Sequence, residues 1–178
     1  MFRRFKENIG YYFLEKKAAK IRRETAFINL KQAKSIAVIA NMDSMEKYKV
    51  FSRFVEELQK ENKRVFVLAL VENEEFQKIF AKGTSILVFS KKNTTWYGKP
   101  RNIGYEDFID EPFDILIDTS LKQIITIQYL VALSKARFKV GKFYDSRSYA
   151  DFMITLKPDE NLTYFIDQIK HYLTTINQ

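Results

Sequence analysis

The chain contains no cysteine and a single histidine. Without thiols there is no disulfide, no thiolate nucleophile and no Cys-based metal site. One imidazole argues against a His-rich metal cluster and against a Ser-His-Asp triad. His171, set between Lys170 and Tyr172 in an expected helix, reads as a solvated polar residue. Long apolar runs are also missing: none approaches the ~18 residues that span a bilayer. Glycine is absent from the turn after the first expected strand. Neither G-x-G-x-x-G nor G-x-x-x-x-G-K-[ST] can therefore be written there, which counts against a conventional NAD(P) enzyme and a P-loop NTPase.

The start, with Arg3, Arg4 and Lys6 ahead of "IGYYFL", begins like a signal peptide. Its apolar part falls short of an h-region of about 7 to 15 residues, and no small-residue cleavage site follows. Glu15, Lys16 and Lys17 come at once instead, and the expected location is cytoplasmic. With 178 residues, 46% of them hydrophobic, including 16 Phe and 10 Tyr, a packed core needs no staples. The net charge of +8 is unevenly placed: residues 1–34 hold ten Lys/Arg against three Glu, and the remaining 144 residues are nearly balanced. The basicity thus belongs to an N-terminal segment, 1–34, ahead of an expected domain over 35–178. A nucleic-acid reading based on overall pI would be misplaced.

Residues 3–31, with one Gly and no Pro, read as helix, with a possible bend at Gly10 between two shorter pieces. Two stripes share helical spacing: Phe2, Phe5, Ile9 and Tyr12 on one face, Tyr11, Leu14, Ala18 and Ile21 on another. From Ser35 strands and helices alternate. Strands are expected at 35–40, 64–71, 85–90, 113–118, 137–141 and 151–156. Helices are expected at about 44–62, 74–82 and 121–135, with a last one opening at Pro158 and Asp159; 91–112 reads as irregular. Buried strands separated by helices imply a three-layer, Rossmann-like, doubly wound and mostly parallel sheet of five to six strands, ordered 3-2-1-4-5-6. The 121–135 helix is apolar nearly all round, through Ile124, Ile125, Ile127, Tyr129, Leu130, Val131 and Leu133. Its second face needs a cover: the N-terminal helix, which is the reading preferred here, or a second copy of the chain.

In such a sheet ligands bind beyond the carboxyl ends of the strands, where the strand order reverses. The first strand ends in Asn41, Asp43 and Ser44, and the fourth in Asp118, Thr119 and Ser120. Asp43 and Asp118 are the candidate catalytic carboxylates, able in principle to hold Mg²⁺ with waters and phosphate oxygens, or to act as base or nucleophile. The plainer reading is helix capping, since "DSME" and "SLKQ" both resemble capping boxes. Asp118 is not itself placed to cap. The loop "KKNTTWYGKPR" offers Trp96 and Tyr97 as stacking faces and Lys91, Lys92, Lys99 and Arg101 for phosphates, or else packs its aromatics down on the sheet. Lys142, Asp145 and Arg147, in the loop after the fifth strand, could bind an anion. The basic N-terminal helix could lie on an anionic membrane surface, bind RNA through phosphates, or dock with its charges solvated, the default for a charge run.

At "WYGKP", "FDILIDTS" and "LSKARFKVG…DFMI" the chain resembles an uncharacterised Bacteroidota family of small α/β proteins, a domain of unknown function. That resemblance covers nearly the whole chain, implies a cytoplasmic single domain and brings no activity. "FDILIDTS…YLVALSKARFKVG" is fainter in its likeness to the N-terminal half of heptosyltransferases. Those enzymes bind their sugar nucleotide with a second Rossmann-like half, for which this chain has no room. The reading placed first is a non-catalytic binding or interaction module. The rival is a small enzyme for a nucleotide or phosphorylated ligand at the strand 1/strand 4 switch point.

Overall fold

The first strand shows why this sheet is buried on both faces. In β1 (Ser35–Met42), Ile36, Val38, Ala40 and Met42 enter one core while Ala37 and Ile39 enter the other. A period of two with apolar residues at both phases leaves neither side for water. β2 (Arg64–Val71), β3 (Ile86–Phe89), β4 (Ile115–Asp118), β5 (Phe138–Lys142) and β6 (Phe152–Ile154) join it. All pairings are parallel and the order is β3-β2-β1-β4-β5-β6, as expected from the sequence. The structure, a computed structural model, describes residues 2–73, 77–78, 86–101 and 104–176. The short helix expected at 74–82 lies outside them but for Gln77 and Lys78.

One face of the sheet is covered by α2 (Met45–Lys60) and by a long C-terminal helix, Leu162–Thr175. Phe51, Phe54, Val55 and Leu58 of α2 meet Phe165, Ile166, Ile169 and Leu173 in that core. Ser44 caps α2 by accepting from the Lys47 N–H at 3.3 Å. The C-terminal helix starts later than Pro158 suggested, because Asn161 accepts from the Tyr164 N–H and sets the first turn.

The opposite face carries α3 (Tyr105–Asp110) and α4 (Ile125–Leu133), with the C-terminal helix just described being α5. The stretch read as irregular thus contains a helix. Every side chain from Thr126 to Leu133 is buried. The sheet lies on one side of α4, and on the other lies α1 (Phe2–Ala18), whose Tyr11 and Leu14 belong to the same apolar cluster. Tyr129 spans this junction by donating its hydroxyl to the Gly10 carbonyl at 2.8 Å.

The helix expected over 3–31 ends at Ala18, and it runs through Gly10 without interruption. Beyond Ala18 the chain finds tertiary partners for its polar groups. The Ala26 N–H donates to the Arg137 carbonyl, and the Arg23 guanidinium donates to the Ala136 and Arg137 carbonyls and to Asp151. Ile28, Leu30 and Ala33 then enter the α2/α5 core, so the basic segment contributes to both faces of the sheet. Among the described residues, no helix is long and apolar enough to cross a membrane.

Candidate functional site

The carboxyl ends of β1 and β4 are adjacent, and they place the predicted residues as follows. Asn41 and Thr119 line a crevice with Met42, Lys47, Leu121, Lys122 and Leu162. Its volume is about 10 Å³, room for roughly one water. Thr119 is tied to the sheet, its N–H and hydroxyl both donating to the Ile39 carbonyl at 2.9 Å. Asp43 stands at the surface, 2.6 Å from the Lys47 ammonium and 3.8 Å from that of Lys122. Its spacing to Glu46 imitates a capping box, but Ser44 is the cap.

Asp118 is buried. It shares a strand face with Leu116, toward the core that α4 covers, and its β-carbon lies 3.5 Å from where one would project on Gly141. Oδ1 accepts the Ser120 N–H at 2.9 Å. Burial pushes the carboxyl up to about 6, against the opposing pull of the Ser120 hydroxyl and N–H. Tyr144 closes over this turn, donating to the Ser120 carbonyl at 2.9 Å. Burial, then the Asp118 charge, raise the Tyr144 phenol. The Ser120 hydroxyl is buried close to the Asp118 carboxyl but meets no partner at full hydrogen-bond geometry. It does not cap α4, which starts five residues later. Gln123, its supposed partner, instead donates to the Arg147 carbonyl at 2.6 Å and accepts from the Ser146 hydroxyl. Among the described residues, no group of three or more His, Asp or Glu could hold a metal ion.

The cations after β5 are engaged. Lys142 donates to the Leu121 carbonyl at 3.1 Å. Arg147 lies over the Tyr11 ring, 4.7 Å from its centroid, and donates to Glu15 at 2.7 Å. Between α1 and these loops is a polar cleft of about 240 Å³, lined by Glu7, Tyr11, Gln123 and Arg147 among others. Asp145, beside Arg147 in sequence, is exposed and is not among the cleft residues.

A second surface comes from the loop that holds Trp96. A single 3₁₀ turn (Lys91–Asn93) is followed by a bridge between Thr94 and Pro100, a tight excursion that turns at Gly98. Gly98 has φ +91°, and a β-carbon there would lie 2.4 Å from Ile125 Cγ2. Gly10 of α1 is as close to the same loop, meeting the Tyr97 carbonyl oxygen. Two glycines therefore let the loop, α1 and the start of α4 touch backbone to side chain. Side chains rise from this platform into water: Trp96 is 60% exposed, Phe5 62%, Tyr12 53% and Phe13 43%. The rings form a chain, with Tyr12–Phe13 centroids at 5.6 Å, Phe13–Tyr97 at 5.3 Å and Trp96–Tyr97 at 5.3 Å. The Lys16 ammonium sits 4.4 Å from the Tyr12 centroid. Lys17 and Lys99 face each other across the helix–loop junction. Burial and then the Lys99 side chain lower the Lys17 ammonium below its ordinary value.

Of the first stripe of α1, Phe5 and Tyr12 lie on the outer side, and Ile9 is half-buried. Tyr11 and Leu14 of the second stripe are buried; Phe5 and Tyr12 of the first stand in water. The sequence showed both stripes but gave no sign that Phe13 and Gly10, in neither of them, would meet a loop some 85 residues away.

A six-stranded parallel sheet between helical layers, with this order, defines a Rossmann-like α/β protein. Within that class the chain belongs to DUF6913, a family of unknown function whose model matches residues 6–176. No curated protein and no solved structure matches it.

Proposed function

We propose that this protein is a non-catalytic interaction module whose partner face is the outer side of α1 together with the Thr94–Pro100 loop. The observation that carries this reading is the ring chain Tyr12–Phe13–Tyr97–Trp96, in which exposed Tyr12, Phe13 and Trp96 are joined through half-buried Tyr97, on a backbone platform made close by Gly10 and Gly98. Large contiguous apolar patches on a soluble surface mark interaction sites, and a fixed platform reduces the ordering cost of binding. The switch point supports the same reading from the other side. Asp43 is held by Lys47, Asp118 is covered by Tyr144, and the crevice between Asn41 and Thr119 admits about one water.

The test has two parts. Replacing Tyr12, Phe13 and Trp96 together by Ser should leave the melting temperature near wild type, because exposed residues seldom contribute more than about 0.5 kcal/mol each. A collapse of the fold would make the patch structural. The wild-type protein is then melted against nucleotides, sugar nucleotides and phosphorylated metabolites, with and without Mg²⁺. A stabilisation abolished by Asp43→Asn with Asp118→Asn, or by Arg147→Gln, would replace the module with a small-ligand enzyme or receptor.

A further inference from the structure

We infer that the occupant of this face is the surface of an anionic lipid bilayer; the inference rests on the partner-face reading above and names the partner. Charge is sorted around α1. Its two acidic residues turn to the body of the protein: Glu15 accepts from Arg147 at 2.7 Å, and Glu7 lines the cleft beside Tyr11 and Arg147. The outer flank carries Phe5, Tyr12 and Phe13 with Lys16 and Lys17, and the loop adds Trp96 and Lys99. Exposed Lys17 and partly covered Lys99 are two cations held near each other, with Glu106 also near Lys17. Such a pair gains when an anion arrives between them.

The alternatives fit less well. A single-stranded nucleic acid stacks its bases on open ring faces. Here two of the three ring pairs meet edge to face, at 69° and 84°, the third is tilted at 39°, and the Lys16 ammonium covers one face of Tyr12. A second copy would bring two basic faces together. An acidic polypeptide would neutralise the lysines but leave Phe5 and Phe13 short of apolar surroundings. The headgroup boundary supplies phosphates and hydrocarbon at one depth, where Trp, Tyr and Lys, each with an apolar body and a polar tip, are stable whatever the tilt of their rings.

Trp96 is the sole tryptophan and lies in the face, so its emission reports occupancy. The full chain is titrated with phosphatidylcholine vesicles, with and without 30–40% phosphatidylglycerol (roughly the anionic content that makes such a surface strongly negative). Co-sedimentation and a blue shift of Trp96 emission are expected with the anionic vesicles only, weakening as salt is raised. Phe5→Ser with Phe13→Ser should weaken vesicle binding at least tenfold, and so should Lys17→Gln with Lys99→Gln. Both pairs keep Trp96, and both should melt like wild type. Absence of binding to anionic vesicles, or unchanged binding by folded variants, overturns the lipid assignment. A Trp96 shift with a single-stranded oligonucleotide or polyglutamate in place of vesicles keeps the face and replaces its occupant. Vesicle binding that leaves Trp96 emission unchanged moves the contact elsewhere and overturns both readings.

Discussion

A β-carbon placed on Gly10 would lie 2.4 Å from the carbonyl oxygen of Tyr97. Residue 10 is glycine because a helix and a loop distant in sequence meet there backbone to backbone, and a methyl group would part them. The same glycine's carbonyl accepts the Tyr129 hydroxyl, so loop, outer helix and buried helix share one point of contact.

Gly10→Ala should therefore destabilise the fold by about 1–3 kcal/mol, the usual cost of forcing extra volume into a packed contact. Alanine's better helix propensity offsets only about 1 kcal/mol of this. Denaturant melts give the energy. A change in Trp96 emission in the folded variant shows that the loop has moved. Asn8→Ala, at an exposed position of the same helix, should do neither.

Asp118→Asn should stabilise the protein at neutral pH. The native carboxyl titrates at about 6 against an ordinary 3.8, so between those values the native state keeps a proton that the unfolded chain has released. Stability falls as pH rises through that window and stays lowered above it. Asparagine keeps an oxygen for the Ser120 N–H without the charge. The variant should exceed wild type by roughly 3 kcal/mol at pH 7 and match it near pH 3.5. Urea melts at the two pH values measure both.

Lys139 should give the opposite slope. Its ammonium is buried, donates to the Ala132 carbonyl at 3.3 Å, and is pushed down to about 7 by burial and by Arg23, with Asp151 opposing. The unfolded chain holds that proton up to about 10.5, so wild-type stability rises from pH 7 toward pH 10. Lys139→Met should be more stable than wild type by about 1 kcal/mol or more at pH 7, with the gap narrowing by pH 10. Equal slopes for the two proteins would show that Lys139 is charged in the fold at all these pH values.

A chain beginning at Ser35 should fail to fold. Leu30 donates its N–H to the Leu173 carbonyl at 2.8 Å, and the Asn29 amide reaches the carbonyls of Thr174 and Ile176. Ile28 and Leu30 are buried beside α2 and α5. Their loss, with Leu14, should cost roughly 2–5 kcal/mol per large side chain. Circular dichroism of the truncated chain, showing loss of a cooperative melt, checks this.

The sheet was legible because its strands are short continuous apolar runs, and right-handed crossovers leave few orders open. The apolar girth of α4 also announced that something besides the sheet would cover it. Helix limits were less legible. Nothing between residues 18 and 31 breaks a helix locally; the chain leaves it because Arg23 and Ala26 find partners in the turn before β5. Ser120 and Gln123 carry a cap's letters, yet their groups serve a buried turn and the loop at Arg147. Of the aromatic face, the sequence showed Phe5 and Tyr12 in a stripe on α1 and, separately, the "TWYGKP" loop; Phe13, which links them, lay in neither stripe. Their union depends on Gly10 and Gly98, whose reason is a distant contact.

Tyr129 and Gly10 are 119 residues apart, and that interval is also a time. At about 5–20 residues per second of synthesis, α1 exists for roughly 6 to 24 seconds before the helix that will cover its inner stripe has been made. Throughout that interval both stripes face outward on the nascent chain. Until then α1 offers both stripes to its surroundings, and Phe5, Tyr12 and Phe13 stay on offer after folding is complete.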